Sequence, residues 1–311
     1  MGKNGGRAAM AAWLLLAVLG GCGRPPAAAP AAAVPDKAFL ADEQAWRTQR
    51  LEDLRRPDGW TSLVGLHWLT LKAHYIGASA DSGIRLAVGP AKMGMVSREG
   101  DAVFFTPERG AALSVDGHPL TGRIRFHSDR DAQPTTIAFD DGKGLLTLIR
   151  RGDRYALRVR HADAPARQAF AGLAYWPLDP SWRITGRFVP NAAGATLPIV
   201  DIVGITTEQP NAGAVEFERD GKLWTLQAIG EPGRALFVVF ADRTSGHGSY
   251  PAGRFLDVDA PDAKGRVVLD FNRAYNPPCA FTPFATCPLP PPENRLDLRV
   301  EAGEKAYHPP Q

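Results

Sequence analysis

The familiar signatures of catalysis and nucleotide binding are missing from this chain. It has no phosphate loop, no Gly-x-Gly-x-x-Gly entering a helix, no His-Glu-x-x-His and no Gly-x-Ser-x-Gly elbow. Its seven histidines are scattered, and no two lie three to five residues apart in a helical context. A familiar zinc site or nucleotide fold is therefore not expected, although a site assembled from distant residues stays open. Cysteine is scarce, with three in 311 residues, and the formal charge is only +3. No electrostatic case for nucleic acid exists at that charge. The cofactor stays open, and no metal ligands are assigned.

What is present begins with a compartment signal. Lys3 and Arg7 precede an apolar run from Ala8 to Leu19, too short to span a bilayer and laid out like a secretory signal. The run closes on Leu19-Gly20-Gly21-Cys22, small residues before a cysteine, as in a lipoprotein signal. Residues 1–21 read as the signal peptide and Cys22 as the lipidated residue, whose acyl chains would anchor the protein. An ordinary signal peptide cleaved elsewhere is the alternative. Gly23 does not resemble the aspartate that retains lipoproteins at an inner membrane. The expected location is the cell envelope, at the outer membrane facing the periplasm if the host has two membranes. Loss of Lys3 and Arg7 lowers the formal charge from +3 to +1. Residues 22–35 are rich in Pro and Ala and read as a semi-rigid tether.

The body is expected to be mainly β, with antiparallel sandwich-like or barrel-like lobes and one N-terminal helix. Its 32 glycines and 27 prolines, spread along the chain, favour many turns over a helical bundle. The helix is placed at 36–56, with Asp36 as its cap, apolar positions Phe39, Leu40, Ala45, Trp46, Leu51 and Leu54, and Pro57-Asp58-Gly59 as its stop. Trp60 to Leu71 fits a short helix or a strand bent at Gly65. Hairpins are expected around Asp116-Gly117, Gly152-Asp153 and Asp220-Gly221. The Arg151-Gly152-Asp153 tripeptide is read as that hairpin's turn. Ala235 to Ala241 is apolar throughout and reads as a strand covered on both faces. A boundary near Ala162–Gln168 divides an N-terminal lobe, 57–165, from a C-terminal lobe, 166–311.

Candidate chemistry gathers in Asp270 to Leu296, which holds Cys279, Cys287, several prolines and several aromatics among polar groups. Val267, Leu269 and Phe271 alternate with Val268, Asp270 and Asn272, so a strand here sets Asp270 and Asn272 on one face. Arg273, Tyr275 and Asn276 follow, and the proline-rich return brings back Glu293 and Asn294. Asp242 and Arg254 are expected to join them. In a catalytic reading, Asp270 or Glu293 acts as general acid or base, Arg273 stabilises an anion, and Asn272 and Tyr275 orient. In a structural reading, Asp270 pairs with Arg273 or Arg254, and the amides satisfy loop backbone. Cys279 and Cys287 read as a disulfide in an oxidising envelope. The chain-entropy model assigns such a short loop about 2.5 kcal/mol. A thiolate metal site with His247 or His67 is the alternative. Ser245 and His247 suggest a nucleophile pair, but two residues apart in a loop need not face each other.

Three runs then resemble a bacterial and archaeal family, the domain of unknown function 1684. They are Pro57-Asp-Gly-Trp-Thr-Ser-Leu-Val-Gly-Leu-His-Trp-Leu69, Asp242-x-Thr-Ser-Gly-x-x-Ser-Tyr-x-x-Gly-Arg-Phe-Leu256, and the Asp270–Leu296 run itself. The resemblance extends from about residue 40 to Lys305. It implies no activity. It places His67, Asp242, Thr244, Tyr250, Arg254, Asp270, Asn272, Arg273, Tyr275, Asn276, Glu293 and Asn294 within the family's pattern, and His247 at a variable position. The expected function is a tethered envelope lipoprotein with a polar ligand-binding or hydrolase-like pocket at the C-terminal motif, its ligand a small molecule or envelope component. The alternative is a non-catalytic binding or scaffold module braced by the stapled motif.

Overall fold

Asp36 starts the body by accepting the backbone N–H of Phe39 at 2.7 Å, which caps a helix over Lys37–Arg55. In this computed structural model, residues 36–309 are described, together with Met1 and Gly2. The signal peptide, Cys22 and the tether lie outside them. Apart from those first two residues, the described chain belongs to one compact unit, Ala33–Gln311.

The fold is mainly β, built of antiparallel sheets with one long N-terminal helix. No sheet closes into a barrel among the described residues. Trp60–Ser62 forms a single 3-10 turn and Leu63–Trp68 a strand, so the ambiguous segment resolves as mostly extended. That strand edges a six-stranded sheet whose centre is the hairpin Gly144–Arg151 and Arg154–His161. A second, five-stranded sheet packs with it. It contains Ala73–Gly77, Gly94–Glu99 and Ala102–Pro107, plus one parallel pairing, Ala73–Gly77 with Ile84–Arg85. Val96, Phe105, Phe126, Ile137, Leu146 and Leu157 fill the core between them.

A second core lies under a four-stranded sheet that includes Arg183–Pro190, Gly213–Arg219, Lys222–Ala228 and Arg266–Asp270. Asp116-Gly117 and Asp220-Gly221 have φ of 51° and 77°, and of 53° and 70°. Two left-handed residues in a two-residue loop match the twist of the flanking strands. Leu236–Phe240 pairs with Arg254–Val258 and buries both faces: Val238 and Phe240 enter the second core, while Val239 packs with Phe255, Ala285 and Cys287.

The helix departs from expectation in the face it buries. Leu40 and Ala45 are exposed, whereas Glu43 is fully buried and Arg47 and Arg50 are half-buried. Those three, with Phe39 and Leu54, form the inward stripe at three- and four-residue spacing. Arg50 Nε donates to Glu304 at 2.8 Å, and its Nη2 donates to the Asn276 carbonyl at 3.0 Å. The helix is therefore docked largely by charged hydrogen bonds. An apolar count along the helix does not detect such a stripe.

Candidate functional site

The strand Arg266–Asp270 stops one turn earlier than the alternation implies. Val267, Leu269 and Phe271 do face the core, but Phe271–Arg273 forms a 3-10 turn capped by Asp270. Asp270 accepts the Asn272 backbone N–H at 3.1 Å and its side-chain N–H at 3.0 Å. The two side chains meet as expected, through a cap instead of a shared strand face.

Most of the expected site residues are turned into the protein. Arg254 is 0 % exposed and donates to Asp242 at 2.7 Å, to the Val300 carbonyl at 2.8 Å and to the Ala302 carbonyl. Burial pulls its pKa down, and the Asp242 charge and hydrogen bond oppose that. Asp242 also accepts the Thr244 backbone N–H at 2.6 Å. Asn294 accepts the Gln227 N–H at 2.7 Å and donates to the carbonyls of Gln227 and Val239, both at 2.9 Å, tying two strands together. Asn272 exchanges hydrogen bonds with the backbone of Asp179, and Asn276 donates to the Lys305 carbonyl at 2.8 Å. Asn276 N–H also meets Glu304 at 2.7 Å. Tyr275 lies under Arg50, whose guanidinium carbon is 4.7 Å from the ring centre. Burial pushes the Tyr275 hydroxyl pKa up, and Asp257 adds to the shift. Glu293 is exposed and is not brought to Asp270. Cys279 and Cys287 form a disulfide, with Cα atoms 6.1 Å apart. His247 faces the Ser245 carbonyl at 3.2 Å, and Ser245 Oγ accepts the Asp242 N–H at 3.2 Å, so the two do not form a nucleophile pair. His67 projects beside Gly65, where any Cβ would come within 2.7 Å of its Nε2.

Asp270 and Arg273 are different, because they line an open cleft of about 440 Å³. Asp42, Trp46, Arg183, Asp257 and Asp259 line it with them. At its wall, Arg183 donates to Asp270, to Asp42 at 2.8 Å and to Glu43 at 2.9 Å. Arg273 donates to Asp42 at 2.5 Å and to Glu43 at 2.9 Å. Burial and then the nearby Asp270 charge push the Glu43 carboxyl up, while Arg273 pulls the other way. Its Oε2 has no hydrogen-bond partner among the described residues. Exposed Asp42 is lowered, first by its hydrogen bond from Arg183.

The residues missing from the sequence reading are Asp42, Glu43, Trp46, Arg183, Asp257 and Asp259. Asp42 and Trp46 are one helical turn apart, which is a legible spacing. Nothing local connects them to Asp270. That link runs through the pairing of Arg183 with Asp270 across adjacent strands.

Fold and site together define a mainly β protein whose N-terminal helix is clamped by a buried polar motif beside a charged cleft. Residues 168–305 match the family described as "Protein of unknown function (DUF1684)", and the chain belongs to that family. The Asp242–Leu256 and Asp270–Leu296 runs fall inside the matched span, and Pro57–Leu69 lies before it. The chain is also similar to an uncharacterized protein of Haloarcula marismortui solved by NMR. The two are 33 % identical over 45 % of this chain and 78 % of the other, with a TM-score of 0.37. No curated protein matches it.

Proposed function

We propose that the protein is a membrane-tethered envelope lipoprotein whose cleft binds a small cationic or zwitterionic molecule. The remainder of the C-terminal motif is then the disulfide-stapled brace that holds the cleft's walls. The charge balance of the cleft carries this reading. Four carboxylates line it against two guanidinium groups, and both of those already donate to Asp42, Glu43 or Asp270. Asp257 and Asp259 form no ion pair among the described residues. Trp46 adds an aromatic wall suited to a cation. The test is calorimetric titration with choline and putrescine against glucose as a neutral control. Saturable binding of a cationic probe, lost in Asp259→Asn and Trp46→Ala, is expected. No saturable binding by either cation refutes the reading.

A hydrolytic reading of the same cleft has one observation in its favour. Glu43 and Asp270 adjoin, and Glu43 is pushed toward its protonated form. A carboxyl group driven toward its protonated form is the raw material of general-acid catalysis. Turnover of an envelope ester or glycoside that disappears in Asp270→Asn, with binding of the probe retained, would select it.

The envelope assignment rests on the signal-like N-terminus and is supported by the disulfide, which suits an oxidising compartment. Its partner is the membrane, reached through Cys22. Cys22→Ala should shift the protein from the membrane fraction to the soluble one; unchanged sedimentation with membranes rejects lipidation.

A further inference from the structure

A second polar feature stands apart from the cleft. On the hairpin Gly144–Arg151 and Arg154–His161, Arg151, Arg158 and Arg160 share the face turned away from the first core. Arg158 is only 5 % exposed. It makes no ion pair among the described residues, and neither does Arg160. The Nε atoms of both are buried without a hydrogen-bond partner. Buried guanidinium groups are costly to leave uncompensated. Burial, followed by repulsion from Arg160 and Arg151, pulls Arg158 down to about 10.

Thr286, from the stapled loop of the C-terminal motif, sits over this cluster. Its hydroxyl oxygen accepts Arg151 Nε at 2.9 Å and Arg158 Nη2 at 3.5 Å. An oxygen accepting two guanidinium bonds keeps its own proton free to donate. Thr286 also lines a pocket of about 210 Å³, to which Arg130 and Arg151 contribute charge and Ile199, Ile229 and Phe237 apolar surface. The acids nearby are already engaged. Asp129 pairs with Arg151 at 2.7 Å. Asp201, on the pocket wall, accepts the backbone N–H groups of Val203 and Ile205 at its Oδ1, at 3.1 and 2.9 Å. Asp58, whose charge acts on Arg160, pairs with Arg56 at 2.9 Å. Arg130, Arg151 and Arg158 therefore face two carboxylates, Asp129 and Asp201, around the pocket, leaving a net positive charge.

We propose that this pocket binds a small carboxylate bearing a short apolar group, its oxyanion held by Arg151 and Thr286 with Arg158 behind them. The volume is below that of a drug-sized site and suits a compact ligand. Charge-assisted hydrogen bonds from a guanidinium and a hydroxyl fit one carboxylate, and the isoleucine and phenylalanine walls fit an aliphatic body.

The experiment is isothermal titration of the detergent-solubilised full-length protein with isovalerate and with acetate, at ionic strength fixed by chloride. Isovalerate should bind saturably and more tightly than acetate. Thr286→Val removes the donating hydroxyl at nearly constant shape and should weaken isovalerate by about tenfold or more. Arg158→Met should weaken it as well; if that variant does not fold, Thr286→Val alone decides. The proposal is overturned by the absence of saturable isovalerate binding, by acetate binding as tightly as isovalerate, or by unchanged affinity in Thr286→Val.

Discussion

Asp242→Asn separates a brace from a binding site. Arg254 has no access to solvent, and Asp242 is its single carboxylate partner among the described residues, at 2.7 Å. At that distance and an effective dielectric of 20, Coulomb's law gives about 6 kcal/mol of attraction. Relaxation offsets part of this, and breaking a buried pair from one side costs about 3–5 kcal/mol. Asparagine keeps an oxygen for the Thr244 N–H, so the loss is mainly that of the charge opposite Arg254. Single-domain proteins have roughly 5–15 kcal/mol to lose. For a body of this size, 4 kcal/mol corresponds to a fall in Tm of roughly 10 °C. The assay is urea and thermal unfolding of wild type and variant, followed by titration with choline on whatever remains folded. A Tm within about 2 °C of wild type, together with lost ligand binding, would refute the brace and make Asp242 part of a site.

Replacing both Cys279 and Cys287 by alanine should lower stability by about 2.5 kcal/mol or less, because the prolines already restrict the loop; a denaturant midpoint equal to wild type refutes this. Acidification should also destabilise the fold. Burial lowers the pKa of His67 and His74 below the ordinary 6.5. The unfolded chain therefore binds more protons there, and stability falls as pH drops through 6.5 toward the folded-state values. His74 Nε2 accepts the Leu71 N–H at 3.0 Å, a bond that protonation removes. His74→Gln should reduce the loss of midpoint between pH 7 and 5.5, and an unchanged loss would rule His74 out. Arg273→Met should loosen the helix, leaving Asp42 and Glu43 with Arg183 alone; amide exchange over Lys37–Arg55 should quicken, and unaltered protection would refute that docking role.

Local chemistry decides much of this protein in advance. An Asp-Gly pair between alternating strands has few alternatives to a hairpin, and the turns at Asp116-Gly117 and Asp220-Gly221 follow from that. Asp36 and Pro57-Asp58-Gly59 bracket a helix because capping and chain stiffness act over a few residues. Two cysteines eight positions apart are within reach of each other. The Asp270 run was legible as a place of consequence from its composition, and Asp270 and Asn272 do meet. Which of its polar groups are open was not legible. Asp242, Arg254, Asn276 and Asn294 have the residue types of a site, and tertiary packing alone closes them into carbonyl and carboxylate partners brought from distant positions. The charged cleft is likewise a product of packing. Its helix contributes Asp42, Glu43 and Trp46, and strands of two sheets contribute Arg183 and Asp270 from one sheet and Asp257 from the other. The sequence alone thus determined the turns, the helix and the expected disulfide, because those interactions span a few residues. Only the tertiary structure decided which polar side chains are buried and which face solvent, since desolvation depends on everything packed around a group.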